Sequence, residues 1–253
     1  MAKIIAVFNQ KGGVGKTTTA VNLAAAFGAL GKRILLADMD PQGNATSGLG
    51  IDKRDTTVSM YELLIGEAQP TSGLLHTAYK GLDVLPCSVR LAGAELELVD
   101  APRRESRLRA VLAVLRGNYD YIFIDCPPSL GLLSLNALCA ADTFLVPLQC
   151  EYYALDGMSQ LMNTARQVKR LYNPDLELEG VVLTMYDGRL NLTQQVVAEV
   201  KKFFPGKIFS STIPRSVRMS EAPSFGQPIA YYDAGSRGAA AYSDLAKEML
   251  KKA

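Results

Sequence analysis

The chain has 253 residues, 48% of them apolar and 21% charged, with 27 basic against 25 acidic side chains for a formal net charge of +2. That apolar content and small net charge exclude intrinsic disorder, and the length suits one α/β domain able to bury roughly 70–75% of its unfolded surface. The longest mostly apolar stretch, Leu23 to Leu30, is far short of the ~18 residues a membrane span needs, and Ile4 to Phe8, followed at once by Lys11-Gly12-Gly13, is too short an apolar core for a signal peptide. In chain order, Ile4–Phe8, Arg33–Ala37, Tyr121–Ile124, Thr143–Val146 and Gly180–Leu183 read as buried strands, because near-continuous apolar runs with β-branched residues suit a parallel sheet covered on both faces. Between and after them lie helix-length segments at Thr17–Leu30, Arg104–Arg116, Leu155–Leu171, Leu192–Phe204 and Gly238–Lys252. The repeated strand–helix order predicts a doubly wound, mostly parallel α/β sheet with helices on both faces. With no linker, repeat or low-complexity tract, residues 1–253 read as a single domain.

Cys87, Cys126, Cys139 and Cys150 are 39, 13 and 11 residues apart. No CxxC pair suggests zinc, an iron–sulfur cluster or a dithiol, so reduced thiols of a cytoplasmic protein are expected. The charge is uneven: residues 1–100 hold nine basic and ten acidic side chains, Arg166–Arg218 hold nine and five, and Arg103–Arg116 hold five and one. Such segments are either a solvated surface or a face that binds a polyanion.

After the first strand comes Lys11-Gly12-Gly13-Val14-Gly15-Lys16-Thr17-Thr18. A strand, a glycine-rich turn and a helix opening on Lys-Thr form a phosphate-binding P-loop. The glycines let consecutive N–H groups curl around phosphate oxygens, and the helix N-terminus adds partial positive charge. Lys16 is expected on the β- and γ-phosphates and the Thr17 hydroxyl on Mg²⁺. Two acidic segments follow. Leu35–Asn44 places Asp38 and Asp40 at the end of a strand, on the ligand side of an open sheet. Tyr121–Pro128 is an apolar strand ending in Asp125, as in a Walker B segment. Asp125 is expected to hold Mg²⁺ directly or through water, and Asp40 to orient or deprotonate the attacking water near the γ-phosphate and to count with Thr17 and Asp125 among the metal-site residues. Asp38 reads equally as a turn cap or a site residue.

The loop departs from the common P-loop pattern: Gln10 stands five residues before Gly15, where a glycine is usual, and a second lysine, Lys11, lies inside the loop. This form resembles the deviant Walker A of the ParA/MinD/nitrogenase-iron-protein group. Together with Asp40–Thr46, Asp125–Gly131 and Ile213–Gly226, it resembles the ParA/Soj family of chromosome- and plasmid-partitioning ATPases over essentially the whole chain. The resemblance implies an ATPase that hydrolyses ATP to ADP and phosphate with Mg²⁺. It implies that Lys11 reaches a partner subunit's phosphates, that ATP closes a homodimer, and that the dimer binds double-stranded DNA without sequence preference. It also implies release by a ParB/Spo0J-type centromere-binding protein that stimulates hydrolysis, and a cytoplasmic, nucleoid-associated location. It assigns adenine contacts to Pro214, Arg215, Glu221 and Pro223, and places Gly12 where two phosphate loops approach. It links Arg189 and Arg218 to DNA, with Lys201 and Lys202 extending the patch.

Three rivals differ in testable ways. A MinD-like, membrane-associated positioning ATPase needs a basic amphipathic C-terminal helix. The stripe Tyr242, Leu245, Ala246, Met249 reads better as a helix docked on the sheet. An electron-transferring iron protein needs bridging cysteines that Cys126 and Cys139 do not supply, and Asp40 and Lys11 argue against a non-hydrolysing scaffold.

Overall fold

The computed structural model describes residues 1–151 and 154–252. Seven strands, β1 (Lys3–Val7), β2 (Ile34–Asp38), β3 (Leu75–His76), β4 (Leu82–Leu85), β5 (Tyr121–Asp125), β6 (Thr143–Gln149) and β7 (Glu177–Thr184), form one sheet in the order β3-β4-β2-β5-β1-β6-β7. All neighbours are parallel except the edge strand β3, which runs antiparallel to β4. The helices are α1 (Lys16–Ala29), α2 (Asn44–Gly48), α3 (Met60–Ile65), α4 (Leu91–Glu97), α5 (Arg107–Leu115), α6 (Leu132–Ala140), α7 (Ala154–Leu171), α8 (Asn191–Phe203), α9 (Val217–Glu221), α10 (Ile229–Tyr232) and α11 (Arg237–Lys252). The expected doubly wound fold and its five strands are present.

Period-two alternation along the strands sorts the core into two layers. Ile4, Ala6, Leu35, Ala37, Ile122 and Ile124 face one cluster with α3 to α8. Ile5, Val7, Ile34, Leu36 and Phe123 face the other, with α1, α2, α9, α10 and α11. Tyr242, Leu245, Ala246 and Met249 of α11 are all buried in that second layer, against α1. No helix among the described residues is long and apolar enough to cross a membrane; Ala253 lies outside the described residues.

Two expectations need correction in detail. The helix expected over Arg104–Arg116 is a 3₁₀ turn at Arg104–Ser106, the helix α5, and a second 3₁₀ turn at Arg116–Asn118. Arg103, at φ 53°, bends the chain just before the first turn. The strand expected over Thr143–Val146 runs on to Gln149 as β6, and Pro147 within it is tolerated because β1 pairs with β6 only as far as Leu145. Beyond that point β1 has turned into the phosphate loop, and the Pro147 carbonyl accepts a bond from Asn9 Nδ2 at 2.8 Å.

Candidate active site

The sheet register brings three chain segments together at its C-terminal edge. Asp125 lies level with Val7 of β1 on one side and with Asp38 of β2 on the other. The loop leaving β1 therefore arches beside both acidic strand ends. Gly13 and Gly15, at φ 74° and 88°, take left-handed backbone conformations in that loop, which glycine adopts without strain. Thr184 at the end of β7 anchors its middle, its Oγ1 donating to the Val14 carbonyl at 2.8 Å. Asn9 closes its start, accepting from Lys11 N at 3.0 Å.

Lys16 is buried, and its Nζ donates to the Lys11 carbonyl at 3.0 Å. Burial lowers its pKa, opposed chiefly by the charge of Asp125. Asp125 is fully buried, and among the described residues neither carboxylate oxygen has a hydrogen-bond partner. Burial pushes its carboxyl well above the usual range and Asp38 pushes it further; the nearby Thr17 hydroxyl draws it back without meeting bonding geometry. Two orphaned, buried carboxyl oxygens beside a threonine hydroxyl fit a hydrated Mg²⁺, whose charge would favour the carboxylate and which takes one or two protein ligands, the rest of its shell being water and phosphate. Among the described residues no cluster of three or more His, Cys, Asp or Glu would hold a metal without such help.

Asp40 is nearly buried, its Oδ1 accepting from Gln42 N at 3.0 Å. Of the two readings of Asp38, the turn cap is the one its hydrogen bonds show. Its Oδ2 accepts from Thr46 N at 2.8 Å and Thr46 Oγ1 at 2.7 Å, tying down α2, and its Oδ1 accepts from Asp40 N at 3.2 Å. Burial pushes the Asp38 carboxyl up to about 6, against the pull of the Thr46 bonds. Lys11 and Gly12 face outward. Lys11 Nζ pairs with Glu151 Oε2 at 3.0 Å, and a Cβ built on Gly12 would meet nothing within 4 Å.

A cavity of about 340 Å³ opens beyond the loop, lined by Gly15, Thr18, Pro214, Arg215 and Pro223. Thr184, Met185 and Tyr242 are also in the lining, and none of these three belongs to a phosphate- or base-binding motif that the sequence shows. Met185 holds a positive φ of 49°, uncommon for a side chain of its size. Glu221 is not in that lining; its Oε2 accepts from Arg218 and from the Tyr232 hydroxyl, each at 3.2 Å.

The expected DNA-facing cations are all at the surface, and three have carboxylate partners. Arg189 binds Asp187 through two bonds of 2.9 and 2.7 Å, and Lys202 meets Glu199 at 2.6 Å. Arg218 lies 3.2 Å from Glu221 and 3.4 Å from Asp233. Lys201 has no such partner among the described residues.

Residues 2–178 match the AAA domain family. The sporulation initiation inhibitor protein Soj of Bacillus subtilis (strain 168) is 57% identical over 249 residues, 98% of each chain. The chromosome partitioning protein ParA of Myxococcus xanthus (strain DK1622) is 54% identical over all of this chain and 89% of its own. Among solved structures, cobyrinic acid a,c-diamide synthase from Mycobacterium smegmatis with bound ADP and magnesium is similar at a TM-score of 0.88 and 39% identity, over 99% of this chain and 95% of that one.

Proposed function

This chain belongs to the Soj/ParA family of chromosome-partitioning ATPases, and from that premise we propose that it is an ATP-gated switch whose dimer holds DNA. It is a Mg²⁺-dependent ATPase of the DNA-segregation class. The observation that carries the reading is the asymmetry of the phosphate loop: Lys16 and Asp125 are buried beneath it, while Lys11 and Gly12 are open above it. One chain thus presents a site finished on one side and accessible on the other, as a site completed by a second copy must be.

The loop N–H groups and the Lys16 ammonium bind the phosphates, and Lys16 gives up its bond to the Lys11 carbonyl to do so. An anionic phosphate reverses the burial that disfavours the charged lysine. Thr17 and Asp125 would hold Mg²⁺, which would supply positive charge to offset that of the phosphates. Asp40, fixed from both sides by the Gln42 N–H and by Asp38, orients the water that attacks the γ-phosphorus and accepts its proton. The bond to the bridging oxygen breaks, leaving ADP. Pro214, Arg215 and Pro223 flank the base.

In the dimer Lys11 exchanges Glu151 for the partner's phosphates. Arg189, Arg218, Lys201 and Lys202 of two chains together cover more DNA phosphates than either chain alone, which makes binding ATP-dependent and salt-sensitive. A ParB-type protein ends that state by stimulating hydrolysis. Residues 1–253 act as one ATPase domain in the cytoplasm, on the nucleoid. The MinD-like membrane reading needs a free apolar face on α11, whereas that stripe is buried on α1.

The test is binding of the Asp40→Ala variant to random-sequence duplex DNA with ATP, ADP or no nucleotide. Binding with ATP alone, weakened in Arg189→Ala, is the expected result. Absence of binding in every state would leave the ATPase and remove DNA as its partner.

A further inference from the structure

Next to the base-side cavity lies a larger one of about 1100 Å³. Three arginines from separate segments line it: Arg189 from the β7–α8 connection, Arg215 from the segment before α9, and Arg237 from the first turn of α11. Two carboxylates share the lining, Asp187 and Asp244, and both face cations: Asp187 holds Arg189, and Asp244 lies 3.6 Å from Lys247. Arg215 Nη2 lies 3.9 Å from the Met185 sulfur. Neither Arg215 nor Arg237 has a carboxylate partner among the described residues, and both are exposed. Ser210 and Thr212 add hydroxyls to the same wall.

Three guanidinium groups against two carboxylates leave this wall positive, an excess that an anion in the cavity offsets. Their planar forks match phosphate oxygens in pairs, and their weak hydration makes them the usual choice at such sites. The wall is also shared: Pro214 and Arg215 line both this cavity and the base-side cavity. We propose that the cavity is a groove for a phosphodiester of the DNA backbone, with Arg237 as a contact that the family resemblance does not supply. This rests on the DNA-binding reading above and locates it. The segment carrying Pro214 and Arg215 then has nucleotide on one face and DNA phosphate on the other, so occupancy of one side bears on the other through a single short stretch of chain.

The experiment uses Asp40→Ala protein with ATP, and compares it with Arg237→Ala, Arg237→Lys and Arg218→Ala made in the same background. Duplex affinity is read by fluorescence anisotropy from 0.05 to 0.3 M salt. Affinity for a fluorescent ATP analogue and ATP-dependent dimerisation are read alongside. Removing one cation from a DNA phosphate lowers the salt slope by about 0.9 and weakens binding about eightfold at 0.1 M salt. Arg237→Ala is therefore expected to bind DNA at least eightfold more weakly with a shallower slope, analogue affinity and dimer unchanged, and Arg237→Lys to retain most of the affinity. Undiminished DNA binding by Arg237→Ala beside a weakened Arg218→Ala would overturn the groove and leave the DNA-binding reading intact. Loss of analogue affinity with duplex binding unchanged would overturn it in favour of a free nucleotide's phosphates. A parent protein that binds no duplex in any state removes both the reading and the groove.

Discussion

Lys11 Nζ lies 3.0 Å from Glu151 Oε2, so the lysine that distinguishes this phosphate loop is engaged within its own chain, by a residue just after β6. Both side chains are substantially exposed, at 38% and 48%. A pair of that kind contributes at most about 1 kcal/mol. It is strong enough to park Lys11 and weak enough to release it. Glu151→Gln removes the parking interaction and leaves the lysine charged. In the Asp40→Ala background with ATP, this change is expected to tighten dimerisation about two- to fivefold, read by sedimentation velocity over a concentration series. Unchanged or weaker dimerisation would show that the pair does not compete with assembly.

Gly12 makes the complementary case. Within the chain its Cβ position is empty to 4 Å and its φ is not positive, so nothing in the fold demands glycine there. Gly12→Val is expected to melt within about 2 °C of the parent and to bind an ATP analogue within about twofold. It is expected to remain monomeric with ATP at concentrations where the parent dimerises, because the added methyls occupy the face that the partner's loop approaches. An ATP-bound Gly12→Val dimer of parental affinity would move the interface elsewhere.

The buried carboxylates give the nucleotide-free chain a pH dependence with a defined sign. Asp38 sits at about 6, above the ordinary value of about 3.9, so folding favours its protonated form. That contribution is complete below the ordinary value and is lost as pH rises through about 6. Asp125, raised in the same direction by burial and by Asp38, adds to it. Without nucleotide the protein is therefore expected to melt lower at pH 8 than at pH 5.5. Asp125→Asn removes one of the two adjacent charges. We expect it to raise the pH 8 melting temperature by several degrees, at about 2–4 °C per kcal/mol, and to abolish the further rise that Mg²⁺ and ATP give the parent. A variant that melts lower than the parent at pH 8 would mean that the unpartnered oxygens of Asp125 are not strained by burial.

These residues also mark how far the sequence can be read. Long apolar strands and the Lys11–Thr18 loop carry local signals, and those signals alone place Lys16, Asp40 and Asp125 at one sheet edge. Among the short elements, α3 carries a capping box in Ser59 and Glu62, whereas α2, α4, β3 and β4 carry no such signal and are held by tertiary contacts. In α6, Leu132–Ala140 is apolar on nearly every side, and its burial leaves no helical period to detect. Thr184, which anchors Val14 across 170 residues of sequence, and Glu151, which parks Lys11 across 140, are ordinary residues made functional by topology alone.

The loop carrying Pro223 and the helix following Asp40 are joined backbone to backbone, and that junction yields the last expectation. Gly226 has φ 64°, and a Cβ there would lie 2.5 Å from Gly50 Cα and 2.9 Å from Gly50 N. The Tyr79 hydroxyl bonds the Gly226 carbonyl from the other side. The chain therefore has neither the conformation nor the space for a side chain at this position. Gly226→Ala must shift one segment against the other, at a cost of at least 1 kcal/mol for the left-handed backbone and more for the overlap. We expect a melting temperature lower by at least 2–4 °C. Because Gly50 closes the turn after α2, whose Thr46 holds Asp38 and through it the Asp40 N–H, the displacement is expected to reach the attacking-water position as well. ATP turnover should then fall by more than ATP-analogue affinity does, since Lys16 and the loop N–H groups lie outside the junction. Equal losses in turnover and affinity would place the damage in the base-side cavity alone.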